Sequence, residues 1–143
     1  MARQLKILGS ALAATSAMTL FSYVYSLVTK DNSREPELLG KLMHRLFPGN
    51  SKSAAKFSGW VTHYGVGLLF AELYGQIWQR SGMNPNPGTG LVFGGLSGIA
   101  AILIWKFTLT VHPFAPVLDF DSFALNLFLA HFVFGLFAAL GYR

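Results

Sequence analysis

The chain has 143 residues, of which 52% are hydrophobic and only 12% charged, with a mean hydropathy of +0.45. Ordinary soluble domains carry about 25% charged residues, so this composition excludes that class and indicates a single integral membrane domain. The absence of cysteine excludes disulfides, thiolate metal sites, iron–sulfur clusters and cysteine nucleophiles, and the net charge of +5 is scattered, with no continuous basic, aromatic-studded face for nucleic acid.

The first apolar stretch, residues 5–28, is long enough to cross a bilayer core, which takes about 20 helical residues. Its basic MARQLK start and the small residues of ALAATSA also resemble a signal peptide; it is read as a retained membrane helix. Three more stretches of spanning length follow at 57–79, 90–111 and 122–142. None alternates with the period of two that marks a membrane barrel strand.

Between the first two, PELLGKLMHRLF places Leu38, Leu39, Leu42, Met43, Leu46 and Phe47 on one helical face and Glu37, Lys41, His44 and Arg45 on the other. Pro36 suits a first helical turn and Pro48 ends the pattern, so a helix is expected over 36–47. It either lies amphipathically in the membrane interface or caps the bundle. Later, Pro113 is expected to end the third spanning helix, and Asp119 or Asp121 to cap the fourth. The expected fold class is thus an all-α membrane protein: four transmembrane helices as two pseudo-repeated hairpins, plus the amphipathic helix in the first loop.

Orientation is finely balanced. Arg3, Lys6, Arg80 and Arg143 fall on the side of the termini, and Lys30, Arg34, Lys41, Arg45, Lys52 and Lys56 on the other. The excess leans towards a cytoplasmic first loop, against the pull of an acid-free basic N-terminus.

The pseudo-repeat rests on H-x3-G-x6-Y, read at His63, Gly67, Tyr74 and again at His131, Gly135, Tyr142. Gly9, Ala13, Ala17 and Gly90, Gly94, Gly98 form matching small-residue ladders. Such ladders let helices approach closely in lipid, where apolar burial provides no drive, so Gly67 and Gly135 are also expected at helix contacts.

With the second and fourth helices parallel, Tyr23, His63, Tyr64, Lys106 and His131 come to one depth as a candidate polar layer. Ionisable residues at that depth are costly and suggest function. Three readings stay open: His63 and His131 as structural hydrogen-bonding residues; the same pair as axial ligands of a haem b; or a layer that binds a small amphipathic ligand such as a lipid headgroup or quinone, or relays protons. Glu72 is expected to be a buried acid facing away from His63, near the depth of Ser97, and neutral or at an oligomer contact. His112, Asp119 and Asp121 cluster without a metal-binding spacing, so no metal is predicted. Phosphate loop, dinucleotide fingerprint, nucleophile elbow and zinc-protease motif are all missing from the sequence.

The stretches HYGVGLLFAELYGQIW and AHFVFGLFAALGYR, with EPELLGKL and WKFTLTVHP, resemble small uncharacterised four-helix bacterial inner-membrane proteins of the YagU-like kind. The resemblance implies a bacterial origin and a cytoplasmic-membrane location, and brings no activity with it. The expectation is a non-enzymatic membrane component, in the lipid bilayer as a homo-oligomer or within a larger complex, without a cofactor. A haem- or quinone-binding redox module through His63 and His131, and a proton-linked transporter or channel centred on Glu72 and Lys106, are the alternatives.

Overall fold

Helix boundaries follow the capping chemistry. In a computed structural model describing residues 2–143, the order is α1 (Ala2–Thr29), α2 (Glu35–Leu46), α3 (Lys52–Ser81), α4 (Pro87–Val111) and α5 (Phe120–Tyr142), with no strand among the described residues. Ser51 starts α3 by accepting from the Ala54 amide, and Gly82, at φ +68°, ends it in the left-handed conformation. Asn86 and Thr89 form a reciprocal capping box on α4, with Pro87 in its first turn. That helix stops at Val111, ahead of Pro113. Asp119 caps α5 by accepting from the Asp121 and Ser122 amides.

Three helices, not four, are long and apolar enough to cross a membrane: Arg3–Thr29, Pro87–Val111 and Phe120–Tyr142, with mean hydropathies of 1.5, 1.7 and 2.1. The helix over the expected span 57–79 is not among them. At 30 residues α3 reaches about 45 Å. Its hydropathy, however, is diluted by His63, Tyr64, Glu72, Tyr74, Gln76 and its glycines.

Packing is set by small residues. On α4, Gly90, Gly94 and Gly98 face α5 as expected, and a Cβ on Gly135 would come within 2.8 Å of the Gly94 Cα. α5 lies between α4 and α1, and α1 in turn packs on α3. α2 folds back on α3 where Gly40 and Gly59 meet; a Cβ on Gly59 would sit 2.9 Å from the Gly40 Cα. Leu38 and Leu42 are buried there while Leu46 and Phe47 stay exposed, so α2 caps the bundle with one part of its apolar face.

The ladder expected on α1 does not pack within the fold. Gly9 and Ala13 are exposed, Ala17 is half-buried, and a Cβ on Gly9 would meet nothing within 4 Å. The buried stripe lies one residue further on, at Ser10, Ala14, Met18, Ser22 and Ser26. One residue is a rotation of about 100° on a helix, enough to exchange faces. Serine is as compact as a ladder residue needs to be, and its hydroxyl finds partners: Ser10 donates to the Ala138 carbonyl at 2.8 Å, and Ser26 accepts from the Ser33 amide at 3.0 Å.

α3 and α4 are held apart by aromatic side chains at the end near the chain termini. There Tyr74 contacts Phe93 and Phe134 at ring separations of 5.3 and 5.8 Å, and Trp78 contacts Phe93 at 5.5 Å. Tyr74 hydrogen-bonds Ser97, and Trp78 Nε1 donates to Thr89 at 3.2 Å. Among the described residues, no such wedge fills the other half of the α3–α4 seam, where a cavity remains.

Candidate functional site

In that unfilled half lies a cavity of about 130 Å³, reached by all five helices: Thr15 from α1, Glu35 and Leu39 from α2, His63, Gly67 and Phe70 from α3, Ala101 and Trp105 from α4, and His131 and Phe134 from α5. Val66 and Ile104 also line it and are 43% and 58% exposed, so it opens sideways between α3 and α4. α2 closes its end.

The two histidines are buried on its wall, 7% and 4% exposed. Donor accounting fixes their tautomers. The Thr19 hydroxyl donates to the Thr15 carbonyl at 2.6 Å, which spends its one proton, so it accepts from His63 Nε2 at 2.8 Å. The Leu127 carbonyl can only accept, so His131 Nδ1 donates to it at 2.7 Å. No carboxylate lies within ion-pair distance of either ring among the described residues. A lone imidazolium in an apolar cavity would be uncompensated, so both rings are neutral. His63 Nδ1 and His131 Nε2 are thereby left as acceptors, without a protein partner among the described residues. Phe70 stands edge-on to His131 at 5.9 Å and holds the ring in place.

Glu35 is the acid of the site, and sequence reasoning passed over it. It is 2% exposed. Its Oε1 accepts from Ser22 at 2.8 Å and from Asn126 Nδ2 at 3.3 Å, while Oε2 has no partner. Asn126 Nδ2 also donates to the Ser33 carbonyl at 3.1 Å, tying α5 to the α1–α2 link. Burial pushes the Glu35 carboxyl up from 4.5 to about 7, against the opposing pull of its own amide, Ser22 and Asn126. The Thr15 hydroxyl is a second buried group without a partner, and it lies against Gly67, where a Cβ would come 3.2 Å from the Thr15 Cβ.

The remaining layer residues disperse. Tyr64 stacks on Trp60 at 6.3 Å and hydrogen-bonds Ser16 at 2.9 Å in the outer α1–α3 groove. Tyr23 donates to Glu37 at 3.2 Å beneath the Arg34 guanidinium, which lies 4.9 Å from its ring centre. Lys106 is exposed on α4 and does not line this cavity. Glu72 is half-buried rather than buried: it pairs with Arg3 and accepts from Gln76 at 3.0 Å, and Ser97 is taken by Tyr74. Of the expected set, then, His63 and His131 share this cavity, while Tyr23 and Tyr64 meet around Trp60 in a separate outer groove.

The space holds one six-membered ring, since a dry cavity of about 150 Å³ takes up benzene. A tetrapyrrole is several times larger, and His63 directs Nε2 at Thr19, so the arrangement does not fit a bis-histidine haem. No cluster of three metal-ligating side chains occurs among the described residues. His112 instead donates Nε2 to the Leu42 carbonyl at 3.1 Å and accepts the Phe114 amide on Nδ1, fastening α2 to the end of α4.

Comparison of the chain with protein-family models, with curated proteins and with solved structures finds no match.

Proposed function

We propose that the chain is a non-enzymatic integral membrane protein with four spans, of the bacterial cytoplasmic membrane, that holds one small amphipathic molecule in the α3–α4 cavity. The observation that carries this reading is the lateral mouth at Val66 and Ile104 leading to a cavity walled by His63 and His131, each with one ring nitrogen that bonds no other residue among those described. Native structures rarely leave polar atoms in an apolar interior unsatisfied, so such atoms on the wall of an apolar cavity suit a bound polar head. A mouth between two helices faces lipid, from which an amphipathic molecule would enter with its chain still in the bilayer.

Support for the fourth span is geometric. α3 meets the apolar helices along most of their length, through His63 with Thr19, Gly67 with Thr15, Tyr74 with Ser97 and Trp78 with Thr89. Its outer side carries exposed Val61, Leu69, Leu73 and Ile77, an apolar surface suited to lipid.

The test is mass spectrometry of the protein extracted from its native membrane into lipid discs, beside a Val66→Trp variant. Val66 is partly exposed at the mouth, so the larger ring blocks entry without disturbing the core. The expected result is about one copurifying small amphipath per chain, lost in the variant. Nothing bound, or the same molecule held equally by both proteins, would overturn the reading.

A further inference from the structure

The wall of the cavity also selects what it would hold, an inference that rests on the ligand-binding reading above. Its apolar part is aromatic and aliphatic: Phe70, Trp105 and Phe134 surround a volume suited to one six-membered ring. Its polar part is unusually one-sided. His63 has spent its N–H on Thr19 and His131 has spent its N–H on Leu127, so each offers the cavity only a lone pair. Glu35 and Thr15 line the space as well, but their unpartnered oxygens are occluded by their neighbours and offer it no contact. No lysine or arginine lines the space among the described residues. A phosphate or carboxylate would therefore enter without a counter-charge, a costly arrangement in an apolar surround. A carbonyl or ether head would bring a further acceptor to two imidazole acceptors.

We propose that the site takes an uncharged ring or short apolar head bearing a hydrogen-bond donor, a phenol- or alcohol-type hydroxyl, with its apolar tail leaving through the α3–α4 mouth. Such a hydroxyl donates to His131 or His63. One group thus satisfies an atom that the protein leaves open. A ketone, an ether or an anion does not.

Two probes with the same ring and chain, one a donor and one not, separate donor recognition from simple apolar uptake. Para-octylphenol and para-octylanisole share ring and chain, and differ in that methylation removes the donor. Each is titrated into the full chain in lipid discs, following the fluorescence of Trp105 on the cavity wall, with Trp105→Phe identifying the signal that comes from the site. The phenol is expected to bind roughly tenfold tighter than the anisole, about the effect of one hydrogen bond in a buried site. In His131→Phe that preference should fall to about twofold or less while anisole binding persists. Thr15→Val is the control variant. It nearly preserves shape and removes an occluded hydroxyl that bonds nothing in the protein, so folding and the preference are both retained.

Equal binding of both probes would overturn the donor rule and leave the cavity as a ligand site. Tighter binding of octyl phosphate than of the phenol would overturn it as well, by showing an anion site. Absence of any Trp105-dependent signal with all three probes would overturn both the donor rule and the ligand-binding reading.

Discussion

Asn126 on α5 and Glu35 on α2, 91 residues apart in sequence, are joined by a 3.3 Å hydrogen bond at the closed end of the cavity. The same Asn126 amide reaches Ser22 on α1 at 3.3 Å and the Ser33 carbonyl at 3.1 Å. One side chain thus fastens three helices and the link between two of them. Asn126→Leu keeps the volume and leaves those acceptors without their donor. Its expected cost is on the order of 3 kcal/mol, since each stranded buried group costs about 1–3 kcal/mol and the losses overlap. Reversible unfolding in mixed micelles measures it; a change below about 1 kcal/mol would mean the network contributes little.

Glu35 makes stability depend on pH. Its folded carboxyl, raised to about 7 by burial, lies above the ordinary value of 4.5, so folding favours the protonated form. The contribution is fully present below about pH 4.5 and is lost as pH rises through about 7. Across that window the loss amounts to roughly 3 kcal/mol. Melting temperature in detergent should fall over the same range. Glu35→Gln, which keeps the Oε1 contacts to Ser22 and Asn126 and has no proton to lose, should flatten the profile. A wild-type profile equally flat between pH 4.5 and 7 would refute the assignment.

Much of the architecture was legible because its signals are local. Pro36, Pro113 and Asp119 mark helix ends through chemistry confined to a few neighbouring residues, and the structure places the ends there. The hydropathy of α1, α4 and α5 is likewise a local property. Two things escaped. The packing face of α1 did, because Gly9, Ala13 and Ala17 and the serine-bearing stripe beside them look alike as small residues, and only the neighbouring helices decide between them. Glu35 did too, because an acid just before a proline at a helix start reads as an ordinary first-turn residue favoured by the helix dipole. Its burial is created by Ser22 and Asn126, distant in sequence. His63 and His131 were visible as costly polar residues in apolar surroundings, and their common cavity agrees with the expected parallel placement of their helices. Tyr64 and Lys106 sat at a fitting depth but on other faces, and depth alone carries no information about azimuth.

The glycine contacts give a matched pair of substitutions. A Cβ on Gly135 would lie 2.8 Å from both the N and the Cα of Gly94, so α4 and α5 would have to separate. Overpacking of backbone against backbone typically costs about 1–3 kcal/mol, and Gly135→Ala should lie at the upper end of that range. Gly9→Ala meets nothing within 4 Å and should be neutral or slightly stabilising, alanine being the better helix former. Unfolding free energies of the two proteins, measured side by side, decide which ladder packs within the fold. Equal losses would return Gly9 to a packed face.

Whether α3 crosses the bilayer has a direct test, because the chain has no cysteine and single introduced thiols report without background. Asn50→Cys lies between α2 and α3, Asn84→Cys between α3 and α4, and Val117→Cys between α4 and α5, all at exposed positions. With four spans, the first and third are labelled by a membrane-impermeant reagent from one side and the second from the other. If α3 stayed on one face, Asn50→Cys and Asn84→Cys would be labelled together and Val117→Cys from the opposite side. The four-span pattern is expected because the polar residues that lower the hydropathy of α3 are partnered within the bundle. His63 is matched by Thr19, Tyr74 by Ser97, and Glu72 by Arg3 and Gln76. A polar group satisfied by a neighbouring helix costs far less at membrane depth than its transfer value suggests. Mean hydropathy counts those groups at full cost, although α3 also carries exposed Val61, Leu69, Leu73 and Ile77.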